Sequence, residues 1–154
     1  METIRVDESA EDRPPPAVVH VPKGRYSGRP LVCRKERAML HRGSCHCGRI
    51  AFELEADIAE GTACNCSLCR RRGWLLAFVP RDALRLTTTD GAWTTYRFNK
   101  HHIDHHFCPT CGVAPFSDGT DPRSGAKIAA VNLRCLDDLD LDALPVRHFD
   151  GASL

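Results

Sequence analysis

Nine cysteines stand in a chain of 154 residues, at positions 33, 45, 47, 64, 66, 69, 108, 111 and 135. Seven of them fall into three tight groups: Cys45-His46-Cys47, Cys64-Asn65-Cys66-Ser67-Leu68-Cys69 and Cys108-Pro109-Thr110-Cys111. Spacing this close lets a short loop aim two or three sulfurs at one ion, and zinc is the metal that favours such donors. An odd count cannot pair off completely within one chain. Met1–Glu8 has no basic patch followed by an apolar stretch, so no secretory signal is expected and the setting is read as the reducing cytoplasm, where disulfides are disfavoured. Of the two isolated cysteines, Cys135 is read as a small buried hydrophobe and Cys33 as a loosely packed thiol.

Seven sulfurs exceed one tetrahedral site, and four plus three is the natural division, giving two Zn²⁺ per chain. A four-sulfur site is closed and contributes folding energy. A three-sulfur site leaves one coordination position for water or a ligand, the usual mark of a catalytic ion. Spacing leaves two partitions open. In one, Cys45, Cys47, Cys108 and Cys111 share an ion and Cys64, Cys66 and Cys69 hold the other. In the second, Cys45, Cys47, Cys64 and Cys66 join, leaving Cys69, Cys108 and Cys111. The first has the better mechanical sense, because a local triple needs no long-range closure.

The elements that must hold these groups are short. Arg49–Glu55 alternates with period two, placing Ile50, Phe52 and Leu54 on one face. Further strands are expected at Trp74–Val79, Leu84–Thr88, Trp93–Phe98 and Lys127–Leu133, with Asp90-Gly91 as a turn. No long helical period occurs, and a mainly β domain with Gly-rich turns follows. Residues 1–40 read as a poorly structured leader, with Pro14-Pro15-Pro16 forbidding helix and Ala17–Val21 as a candidate edge strand; the zinc domain is placed at 41–151. No run of apolar residues is long enough for a transmembrane helix. The formal charge is +1. Each thiolate removes one charge and each zinc adds two, so seven thiolates and two ions bring +1 to −2. That balance disfavours nucleic acid as a partner. Phosphate-loop, serine-hydrolase and zincin signatures do not occur.

The stretches Gly43-Ser44-Cys45-His46-Cys47-Gly48, Cys64-Asn65-Cys66-Ser67-Leu68-Cys69-Arg70, Phe107-Cys108-Pro109-Thr110-Cys111-Gly112 and Val131–Asp137 resemble the glutathione-dependent formaldehyde-activating enzyme family, whose domain is shared with centromere protein V. The resemblance implies an Mss4-like fold of short antiparallel strands built around zinc. It also implies the first partition, with Cys45, Cys47, Cys108 and Cys111 on a structural ion and Cys64, Cys66 and Cys69 on an open, catalytic one. The activity it implies is carbon–sulfur lyase chemistry, joining glutathione to formaldehyde to give S-(hydroxymethyl)glutathione. The partners would be a small thiol and a small aldehyde.

Around the open site, Arg70 and Arg71, at the head of an arginine triplet completed by Arg72, are expected to pair with carboxylates of a glutathione-like ligand. Trp74 is expected to offer an apolar wall. The run Asn99–His106 is read as an exposed hairpin, with His106, next to Phe107 and Cys108, as its candidate for a pocket role. The competing reading is a non-catalytic, zinc-stabilised binding or scaffold module; a homo-oligomer is compatible with either.

Overall fold

A computed structural model describes residues 38–122 and 124–153. The leader reading of 1–40 falls almost wholly outside them, as do the candidate strand Ala17–Val21 and Cys33.

The expected mainly β character holds. Three strands, β1 (Met39–Ser44), β2 (Ala51–Ala56) and β5 (Leu84–Leu86), form one antiparallel sheet in the order β1-β2-β5. The remaining strands are β3 (Gly61–Cys64), β4 (Leu76–Pro80), β6 (Thr94–Tyr96), β7 (Asp104–Phe107), β8 (Phe116–Thr120), β9 (Lys127–Asn132) and β10 (Val146–Phe149). They form a second sheet in the order β10-β3-β4-β9-β8-β7-β6, antiparallel throughout except for the parallel pair of β10 with β3. One short helix, α1 (Cys69–Arg72), interrupts the β structure. Among the described residues no helix is long and apolar enough to cross a membrane.

Alternation along the strands sorts the larger sheet into two faces. Val79, Phe116, Ala129 and Val131 point to one side, where they share a core with Ile50, Phe52, Leu54 and Leu84. Leu76, Phe78 and Ala130 point to the other, where they meet Cys69, Trp74, Ala114 and Phe107 in a smaller cluster. The first face is closed by the three-stranded sheet. Ile50, Phe52 and Leu54 are at most 1 % exposed, as their period predicts. Their strand begins at Ala51 rather than Arg49 because the preceding residues turn back on themselves, with the Cys45 N–H donating to the Ile50 carbonyl at 2.8 Å. On the outer face Glu53 pairs with Arg42 and Arg85 on the flanking strands, and the Arg85 guanidinium holds its carboxyl below the usual range.

The run before the Cys108 turn departs from expectation. His101 and His102 are exposed, but Asp104–Phe107 is strand β7, paired on both edges, and His105 and His106 are each 6 % exposed. Cross-strand partners make this burial tolerable: His105 Nδ1 lies 3.0 Å from Ser117 Oγ, and His106 lies between Thr95 Oγ1 and Asp118. Asp137–Leu144 stays irregular, with the Asp140 carboxylate accepting from the amides of Asp142 and Ala143.

The small sheet is stitched at Gly43 to the segment that follows β9, through an antiparallel bridge to Leu136. A Cβ there would sit 2.4 Å from the Cys135 carbonyl oxygen and 2.5 Å from the tip of the Phe52 ring. Gly43→Ala is therefore expected to destabilise the fold by about 1–3 kcal/mol, the usual cost of overpacking, read as a lowered denaturant midpoint at unchanged m-value.

Candidate functional site

Two turns, each closed by a glycine amide, build the first sulfur cluster. After β1, the Gly48 N–H donates to the Cys45 carbonyl at 2.9 Å; after β7, the Gly112 N–H donates to the Cys108 carbonyl at 2.9 Å. Both glycines hold left-handed backbone, at φ 76° and 75°, a conformation that side chains with a Cβ avoid. Each turn thereby points two sulfurs the same way. The Sγ atoms of Cys45, Cys47, Cys108 and Cys111 all lie within 4.8 Å of one another. Cys47 Sγ is 3.7 Å from Cys45 Sγ and 3.5 Å from Cys108 Sγ. Tetrahedral Zn–S bonds of about 2.3 Å would set sulfurs about 3.8 Å apart, so the donor set fits a closed thiolate site. Cys45 and Cys108 are fully buried in the main core, whereas Cys47 is exposed.

The second cluster is local. Cys64 ends β3, Cys66 follows in the connecting loop and Cys69 opens α1, and their sulfurs also lie within 4.8 Å of one another. Among the described residues no fourth cysteine, histidine or carboxylate joins them. Backbone N–H groups face the sulfurs: Cys66 N to Cys64 Sγ at 3.4 Å and Cys69 N to Cys66 Sγ at 3.5 Å. Cys64 is drawn down to about 6, first by the Cys69 thiol and, against the effect of burial, by further donors that include the Gly151 amide. Cys69, donating to that sulfur and buried, is pushed up. A ready thiolate at Cys64 beside a thiol at Cys69 makes a donor set from which an ion displaces a proton on binding. The sulfurs thus group as the first partition divides them, in sets that could each hold an ion, and the eight described cysteines form no disulfide.

Distant chain segments brace this cluster. The α1 helix ends in left-handed Gly73, whose carbonyl accepts from Arg134 Nε at 2.9 Å. Arg134 lies in a 3-10 turn capped by the Asn132 side chain. On the other side β10 runs beside β3, and Asn65 donates to Asp150 at 2.8 Å and accepts from the Ala152 amide at 2.9 Å. Gly151 is thereby pressed against the trio: a Cβ on it would lie 2.5 Å from Cys64 Sγ.

Not every residue picked out from the sequence meets here. Trp74 does, buried beside Cys69 and tilted against His105 at 5.7 Å between ring centroids. Arg70 and Arg71 are exposed, and Arg71 turns back to the Ser67 carbonyl at 2.7 Å. The inward member of the triplet is Arg72, with its guanidinium carbon 4.8 Å from the Trp74 ring centroid and 5.7 Å from that of Phe107. His106 is directed to the opposite face of the sheet, against Phe116 and Trp93. The histidine on the trio's side is His105, one residue earlier, because neighbours on a strand point opposite ways. The spacing Cys69 to Arg72, i to i+3 on a helix, was the signal available for the arginine; nothing in the histidine run distinguishes 105 from 106.

Two outcomes are expected of this surround. Gly151→Ala should loosen metal at Cys64, Cys66 and Cys69 while sparing the four-cysteine cluster, seen as one ion released early to a chelator and the other retained. His105 is depressed from 6.5 to about 4 by burial, with the Arg72 charge adding to it. The unfolded chain therefore takes a proton that the native chain refuses, so stability falls as pH drops from about 6.5 toward 4. His105→Gln should show a smaller acid loss over that window than wild type in parallel denaturant titrations.

Residues 40–149 match the family model described as glutathione-dependent formaldehyde-activating enzyme. Among solved structures, the crystal structure of a Rhodobacter sphaeroides protein, a structural-genomics target, shares 31 % sequence identity, covers 69 % of this chain and 99 % of its own, and superposes with a TM-score of 0.59. A match that runs from β1 through to the end of β10 takes in both sheets and both sulfur clusters, and the chain belongs to the glutathione-dependent formaldehyde-activating enzyme family.

Proposed function

We propose that this chain is a zinc enzyme joining a small, glutathione-like thiol to formaldehyde or another small aldehyde, a carbon–sulfur lyase of the S-(hydroxymethyl)glutathione synthase type. The observation that carries the proposal is the pair of unequal clusters: four convergent sulfurs beside three, with no fourth protein donor among the described residues. The four, Cys45, Cys47, Cys108 and Cys111, would hold a structural zinc; Cys64, Cys66 and Cys69 would hold the second, catalytic one. Zinc bound there would supply charge that favours the thiolate form of an incoming thiol.

The rest is the work of the chain. Backbone amides aimed at Cys64 and Cys66 offset the negative charge of the sulfurs. Trp74 and Phe107 wall the site and reduce the water around it. Orientation of thiol and aldehyde in one place lowers the barrier by removing the cost of their encounter. In the reaction the thiol sulfur bonds to the carbonyl carbon, the C=O π pair moves to oxygen, and the thiol proton ends on that oxygen. His105, neutral and tied to Ser117, is placed to shape the pocket rather than to carry charge. We assign this activity to a domain spanning 41–151, with 1–40 as a leader outside it, working in the cytoplasm, where free thiols persist.

Purified protein is expected to carry two zinc ions per chain, one of them exchanging more readily. Cys66→Ser should abolish thiol–aldehyde addition and release that ion while keeping the far-ultraviolet circular dichroism of the wild type. Cys108→Ser should unfold the chain. Equal effects of the two substitutions on fold and activity would sink the assignment.

A further inference from the structure

Arg72 stands apart from the other arginines near it. Arg71 reaches the Ser67 carbonyl, Arg134 the Gly73 carbonyl, and Arg147 both Glu60 and Thr62. The Arg72 Nη1 atom is buried, yet it has no hydrogen-bond partner among the described residues. Leaving a charged donor unpaired out of water is costly, more so than for a neutral group. Its position is nevertheless well held: the guanidinium lies over Trp74 and near Phe107, so the long side chain is already ordered. Its helix phase, three residues after Cys69, puts it on the same side of α1 as that sulfur.

Among the described residues the groups whose negative charge acts on it are Cys69 and Tyr96, neither of which has the planar, two-oxygen shape that a guanidinium fork matches. His105, on the same side, is held neutral and supplies no counter-charge. We infer that Arg72 is a specificity-determining residue that pairs with a carboxylate of the incoming thiol, so that the site selects carboxylate-bearing thiols over neutral ones. The inference rests on the thiol–aldehyde reading above and narrows it. The carboxylate pairs with the half-exposed Arg72 guanidinium beside the aromatic rings, and the sulfur end of the same molecule is directed to Cys64, Cys66 and Cys69.

The test uses the full chain loaded with Co²⁺, whose absorption bands report thiol binding with no aldehyde present. Two probes of similar size, 3-mercaptopropionate and 2-mercaptoethanol, are titrated into wild type, Arg72→Gln and Arg72→Lys, each checked for native circular dichroism. Wild type is expected to bind the carboxylate-bearing thiol at least tenfold more tightly than the neutral one. Arg72→Gln should erase that preference while leaving 2-mercaptoethanol affinity within about twofold of wild type, and Arg72→Lys should restore part of it. An undiminished preference in Arg72→Gln overturns the inference, as does equal affinity of wild type for the two thiols. If Arg72 only balances the charge of the sulfurs, Arg72→Gln weakens Co²⁺ and both thiols alike, which also overturns it. Failure of wild type to bind either thiol removes the thiol–aldehyde reading along with the inference.

Discussion

The architecture depends on four sulfurs meeting across two sheets. One pair follows β1 of the small sheet and the other follows β7 of the large one, 61 residues apart in sequence for Cys47 and Cys108. Aromatic residues make up only 6 % of the chain, so the core between the sheets is built from small aliphatic side chains around Phe52 and Phe116. Cys45 and Cys108, both fully buried, are themselves members of that core. A metal bound to that quartet would act as a cross-link between the sheets, with binding energy converted to folding energy.

With one side of the large sheet sealed in this way, the other is free to carry chemistry. The strand period alone creates the division: Val79 and Val131 go to the sealed side, Leu76, Phe78 and Ala130 to the open one. The trio sits at the end of β3 on the open side, beside Trp74 and Phe107. The two sulfur clusters are thereby separated by the thickness of one sheet. A thiolate near neutrality at Cys64 is tolerable on the open side, where amides can be aimed at it, whereas buried Cys135 has its thiol pushed up to about 12 by burial.

Much of this was legible in the residues. The alternation of Ile50, Phe52 and Leu54 placed β2, and the Cys-x-Cys-Gly and Cys-x-x-Cys-Gly spacings placed both turns, because a left-handed glycine and a returning amide hydrogen bond are local properties. The strand β7 was illegible for a physical reason: Asp104-His105-His106 is polar on both faces, and its burial depends on Ser117, Thr95 and Asp118, partners the local pattern does not contain. The triplet at 70–72 failed in a related way. Three identical residues in a row carry no period, and the three-residue step from Cys69 to Arg72 singles out the inward member only once a helical turn is granted there; Trp74 and Phe107 fix the choice in three dimensions.

The parallel strand β10 carries a temporal consequence. Asn65, between two members of the trio, is fastened by Asp150, which lies 85 residues later. A ribosome releases the chain in order, so Cys64, Cys66 and Cys69 emerge long before the strand that braces them. Antiparallel neighbours nearby in sequence can pair early, but this closure must wait for nearly the whole domain. During that interval the trio is a set of exposed thiols without its brace, and nascent chains are open to oxidation or to capture by a wrong metal at the very residues that the finished fold protects.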